Sequence, residues 1–141
     1  MISQGKRSAH SKHYDRVAVY APRLILSLVG NKCVQFGRHA VRMHVRYFRF
    51  YVEKGLRCAS CGLEGKYFAL ERDSLKASAK TKFIYHFNLY AVNSDGVEVL
   101  MTKDHIVPIS RGGKNGLYNL QMMCLHCNNS KGNEYAQAAV G

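Results

Sequence analysis

Four of the chain's cysteines fall into two matched pairs, Cys58-Ala59-Ser60-Cys61 and Cys124-Leu125-His126-Cys127. Two residues between cysteines let both thiolates of a pair reach one ion from a tight turn, and Gly62 suits the bend after the first pair. Two such knuckles complete a tetrahedral shell, the closed coordination of structural zinc, which holds a fold and performs no chemistry. The expected ligands are Cys58, Cys61, Cys124 and Cys127; His126 between two of them is expected at the surface. The fifth cysteine, Cys33, reads as a small buried hydrophobe. A thiol redox centre is the competing reading of one Cys-x-x-Cys pair, and the second matched pair argues against it.

A second set of residues lies between and beside the knuckles. Asp104 and Asn128 offer oxygen donors suited to a hard divalent cation such as Mg²⁺ or Mn²⁺, which takes one or two protein ligands and keeps room for a phosphate. His105 can accept a proton from water near neutral pH. Asn128 directly follows Cys127, so the zinc knuckle would hold it in place. The zinc would then brace a second, catalytic metal site.

The elements that must position these residues can be sketched from pattern. Residues 1–16, with Lys6, Arg7, Lys12 and Arg16 among Ser, Gly and His, read as a mobile basic arm. Val17–Tyr20 and Leu24–Val29 read as short strands separated by a turn at Ala21-Pro22. Residues 38–54 fit a helical stripe of Val41, Val45, Phe48 and Val52 or an alternating strand, and the helix, closed by Gly55, is the preferred reading. Lys66–Glu71 and Phe83–Val92 read as strands whose Tyr67, Tyr85, Phe87 and Tyr90 belong to a sheet core. Asn93-Ser94-Asp95-Gly96 is a hairpin turn, Val97–Met101 returns as a strand into Asp104-His105, and a Gly-rich loop over 110–116 leads to a strand at Leu120–Met123. A last helix is expected over about Asn128–Ala138, weakened at Gly132.

Charge separates the chain into unequal parts. Residues 1–57 hold twelve Lys/Arg against two acids, and residues 58–141 hold nine against seven, so nearly all of the net +12 lies in the first part. That asymmetry points to a polyanionic partner, nucleic acid before membrane. Apolar runs are too short for a transmembrane helix, the basic N-terminus lacks a signal-peptide core, and the cysteine pattern suits a reducing, intracellular (cytoplasmic) setting.

The ordered run Asp104-His105-x-x-Pro108, Gly112-Gly113, Asn119-Leu120 and Cys124-x-x-Cys127-Asn128-x-x-Lys131-Gly132 resembles the HNH endonucleases of the ββα-metal (His-Me finger) superfamily, in the subgroup with a four-cysteine zinc ribbon. The family's motif letters fall on His105, Asn119 and Asn128, with Asn at the last position where many relatives have His. The resemblance implies an α+β fold: a two-strand-plus-helix finger braced by zinc, here with a β-hairpin insertion and a basic N-terminal extension. It implies His105 as general base, Asn119 orienting it through its backbone carbonyl, and Asp104 and Asn128 holding Mg²⁺ or Mn²⁺. The implied reaction is hydrolysis of a phosphodiester in DNA, double-stranded by preference, to 5′-phosphate and 3′-hydroxyl ends. With this resemblance, the expected organisation is a basic extension over 1–57 that would bind the DNA backbone and a zinc-braced catalytic domain over 58–141 with an insertion at 63–100. Small free-standing chains of this kind resemble phage-encoded nucleases. Monomer and homodimer are both open. Arg111, Lys114 and Lys131 are candidate phosphate contacts, as are Arg42, Arg46 and Arg49 on one helix face; a solvated face is the competing reading of the latter three. The alternative function, a zinc-ribbon nucleic-acid-binding protein without catalysis, suits the charge and the cysteines equally but gives no reason for the nuclease order of Asp104, His105, Asn119 and Asn128.

Overall fold

The computed structural model describes residues 2–73 and 85–132. Its centre is a five-stranded antiparallel sheet built from β1 (Tyr14–Tyr20), β4 (Tyr67–Asp73), β5 (His86–Val92), β6 (Glu98–His105) and β7 (Leu120–Cys124), neighbours in that order. A separate hairpin, β2 (Cys33–Phe36) and β3 (His39–Arg42), joins the helices α1 (Pro22–Ser27) and α2 (Val45–Lys54) between β1 and β4. The short α3 (Leu125–Lys131) follows β7 directly and lies against β6 and β7.

Alternation along the strands sends side chains to two buried faces. Phe68, Leu70, Phe87, Leu89, Val99 and Met101 join Ile25, Phe36 and Phe48 from the α1–α2 region in the main core. The intervening Tyr67, Ala69 and Tyr90 form a smaller core on the opposite face with Ile2 and Val19. The expected sheet residues Tyr67, Phe87 and Tyr90 are all buried, with Tyr85 packed at the margin of the main core. The insertion over 63–100 therefore contributes β4 and β5, the middle of the sheet, and β5 pairs directly with the strand that ends in Asp104 and His105.

Several expectations change. The segment read as a strand at Leu24–Val29 begins as α1, because Pro22 occupies a first-turn helix position and the Ala21 carbonyl accepts from the Leu24 and Ile25 N–H groups. The helix over 38–54 starts only at Val45; His39–Arg42 instead pairs with Cys33–Phe36 around Gly37, so Arg42 stands on a strand and does not share a helix face with Arg46 and Arg49. Cys33 is exposed on β2 and not buried. Residues 1–16 are not a loose arm among the described residues: the Lys6 N–H donates to Gly96 O (2.8 Å), the Glu98 N–H donates to Lys6 O (2.9 Å), and β1 pairs with β4 from Tyr14 onward.

The last helix also begins earlier than expected, at Leu125, and Gly132 is its cap at φ 56°. Positions 133–138 of the expected helix, and 83–84 of the expected strand, lie outside the described residues. No described helix is long and apolar enough to cross a membrane.

Candidate active site and metal centre

The first knuckle follows α2 and is tied to the last strand. Gly62, at φ 80°, returns its N–H to Cys58 O (3.0 Å), and the Ala59 N–H donates to Met122 O on β7 (2.8 Å). The second knuckle is the junction of β7 and α3: Cys124 is the N-cap and Cys127 sits in the first turn. The four Sγ atoms of Cys58, Cys61, Cys124 and Cys127 lie within 4.8 Å of one another. Bonds of about 2.3 Å to one tetrahedral ion require sulfurs about 3.8 Å apart, and Cys61 Sγ is 3.8 Å from Cys124 Sγ. The donor set fits one metal ion of the structural-zinc type. Without the ion, burial opposes ionisation of Cys58, but the backbone N–H groups of Cys61, Cys124 and Ser60 outweigh it and bring the thiol down to about 6. Burial pushes Cys124 up to about 12, and Cys127 also upward. His126 is exposed.

Asp104 and His105 end β6, opposite Gln121 and Leu120 of β7. The Asp104 carboxylate is buried; its Oδ2 accepts from Gln121 Nε2 (2.9 Å) and from Lys131 Nζ (2.6 Å). The same ammonium donates to the His105 carbonyl at 2.6 Å. One turn earlier on α3, Asn128 Nδ2 donates to Thr102 Oγ1 (2.9 Å), which donates to Met123 O (2.7 Å). Helix and strand thus meet in two rungs, Asn128 on Thr102 and Lys131 on Asp104, because residues three apart on a helix face match residues two apart on a strand face. Lys131, expected at a phosphate, is engaged inside the site.

The loop between β6 and β7 is braced by the buried Asn119. Its Oδ1 accepts from the Val107 N–H (2.8 Å), and its Nδ2 donates to Val107 O (3.0 Å) and Lys114 O (2.7 Å). The Asn119 carbonyl accepts from the Ile106 N–H at 2.8 Å. The His105 ring meets a different residue from the one expected: its Nε2 lies 2.8 Å from Asn115 Oδ1. Gly113 must be glycine here, since a Cβ would stand 1.8 Å from the Val107 carbonyl oxygen. Asp104, His105, Pro108, Ile109, Ser110 and Gly132 line an open cleft of about 250 Å³. Arg111 and Lys114 are exposed on the adjoining loop. Arg42, Arg46 and Arg49 are exposed too, with Arg46 5.2 Å from the centre of the Tyr47 ring and Arg49 paired to Glu53 at 2.7 Å.

Sequence reasoning missed Thr102, Asn115 and Gln121, and it missed the inward role of Lys131. The spacing Asn128-x-x-Lys131 on a helix facing β6 was the available signal for the last of these.

No curated protein and no solved structure matches the chain. Residues 93–134, which span β6, the loop, β7, the second knuckle and α3, match the family model described as HNH endonuclease. The chain, a mixed α+β fold, therefore has over residues 93–134 a segment similar to an HNH endonuclease domain, and the four-cysteine cluster takes Cys124 and Cys127 from that segment and Cys58 and Cys61 from upstream of it.

Proposed function

We propose that the protein is a divalent-metal-dependent DNA endonuclease that hydrolyses phosphodiesters to 5′-phosphate and 3′-hydroxyl ends. The observation that carries this reading is a histidine and a buried carboxylate in sequence at the floor of one open cleft, within the matched segment. With Asn115 Oδ1 accepting from Nε2–H, the lone pair of His105 is on Nδ1, and that atom takes the proton from the attacking water. Asn119 acts at one remove: by holding the Lys114 and Val107 carbonyls it sets the loop that carries Asn115 to the ring. Asp104 and Asn128 are the oxygen ligands proposed for Mg²⁺ or Mn²⁺, and the fit rests on their chemistry, a carboxylate and an amide on facing elements. When bound, the cation supplies positive charge to the phosphodiester oxygens as negative charge builds on them. Zinc on the four cysteines holds the β7–α3 junction, and with it Asn128 and Lys131. Arg111 and Lys114, exposed on the loop that adjoins the cleft, and the exposed Arg42, Arg46 and Arg49 are the proposed contacts to the DNA backbone.

The test is conversion of supercoiled plasmid to nicked or linear DNA with Mg²⁺ or Mn²⁺, absent in excess chelator. His105→Ala should lower the rate by about 10²–10⁴-fold while zinc content and DNA affinity persist. Cutting at the original rate by this variant would refute the assigned base. Full DNA binding with no cutting under any metal would leave a binding module.

A further inference from the structure

We propose that Lys131 is a resident cation of the Asp104 site that a divalent metal must displace, so that this lysine sets the metal concentration at which the site fills. The inference rests on the reading of Asp104 as a metal ligand and deepens it. Lys131 Nζ lies 2.6 Å from Asp104 Oδ2 and 2.6 Å from the His105 carbonyl; the carboxylate side chain is buried and the lysine partly so, 8% and 14% exposed. Gln121 Nε2 donates to the same carboxylate oxygen at 2.9 Å, so the carboxylate cannot turn away without losing a second bond. The ammonium already neutralises the only described carboxylate that lines the cleft. A divalent ion on that carboxylate would stand within a few ångströms of the ammonium, and two like charges at that range in a partly desolvated site repel strongly. The ammonium must therefore leave as the metal arrives. A lysine suits such exchange: it is a point charge on a flexible stem, whereas an arginine fork would hold the carboxylate in two places.

Mn²⁺ is titrated into the full chain, carrying its zinc and without DNA, and free Mn²⁺ is read by electron paramagnetic resonance. Lys131→Met keeps the stem and removes the charge, and should tighten Mn²⁺ binding by about tenfold. Lys131→Arg keeps the charge and should not tighten it. Equal or weaker affinity in Lys131→Met, or equal tightening in both variants, would overturn the inference. Asp104→Asn separates the two readings: if it binds Mn²⁺ as the wild type does, the assignment of Asp104 as ligand fails. If it loses binding while Lys131→Met is unchanged, only the role of Lys131 fails. A measurement on the unaltered chain stands beside the variants. Acylation of Lys131 by an amine-reactive ester, read by mass spectrometry, should rise severalfold as Mg²⁺ saturates the site, and unchanged labelling would also sink the proposal.

Discussion

Two sets of buried charges stand on this sheet, and they are built differently. At one end, Asp104 meets a single lysine on a flexible stem beside an open cleft. At the other end of β6, on the face that strand alternation gives to Asp104 as well, Glu98 and the β4 residue Glu71 are enclosed by groups that satisfy both oxygens of each. Arg16 donates to Glu98 through both terminal nitrogens (2.5 and 2.9 Å) and to Glu71 through Nε (3.1 Å). Tyr67 donates to Glu98 and Tyr90 to Glu71, each at 2.5 Å, and Asn88 Nδ2 adds a bond to Glu71 at 2.8 Å. The guanidinium also lies 4.8 Å from the centre of the Tyr90 ring. Bonding to the two carboxylates raises the Arg16 pKa despite the burial that opposes its charge, and burial followed by its bond to Glu71 pushes Tyr90 upward. A fork, two hydroxyls and an amide occupy the carboxylate oxygens that a ligand would need. A lone ammonium at a cleft leaves room for exchange. The Arg16 arrangement is a clasp for the N-terminal segment; the Asp104 arrangement is the proposed site.

Removing the metal tests the comparison most severely. Cys124→Ser should abolish zinc binding and cleavage together, and amide exchange should show protection lost across β6, β7 and α3, since structural zinc contributes on the order of 10 kcal/mol in small domains. Protection preserved there would mean that the four cysteines do not brace the cleft. Next in size is Arg16→Met, which leaves Glu71 buried without its cation and Glu98 with only Arg7 at 3.5 Å, and should cost about 3–5 kcal/mol in urea denaturation. The cleavage rate per folded molecule should stay unchanged; a variant that is fully stable but slow would place Arg16 in the site and end the distinction. Deleting residues 1–16 removes the same guanidinium, so that deletion reports on folding before it reports on DNA. The smallest effect belongs to Arg46→Ala on the exposed face of α2. Stability should move by no more than about 0.5 kcal/mol, while the slope of log affinity against log salt should shrink by about 0.9 if Arg46 holds one phosphate. An unchanged slope returns that helix face to solvent.

The parts of this molecule visible in its sequence share a short range. Cysteine spacing, the Asp104-His105 dipeptide, the hairpin turn at Asn93–Gly96 and the alternation of β4 to β7 are all local, and the structure contains each of them. Errors arose where one local pattern suits two conformations. Leu24–Val29 has a strand's composition but follows a proline that starts a helix, and residues 38–54 carry both periods because they contain both a strand and a helix.

What the sequence determined by itself is which groups are present at ligand and motif spacing: four thiolates, one histidine beside one carboxylate, and an amide after the last cysteine. What only the tertiary structure decided is which charges those groups meet. Arg7 and Arg16 look like the rest of the basic N-terminal tally, yet Glu98 lies within 3.5 Å of the one and 2.5 Å of the other. Lys131 looks like a phosphate contact, yet it closes on Asp104 across 27 positions of sequence. Such pairings depend on strand order and helix docking, which bring residues far apart in sequence within hydrogen-bond reach. In a buried setting, the partner at that distance decides whether a charge is a clasp, a resident cation or a free hand for DNA.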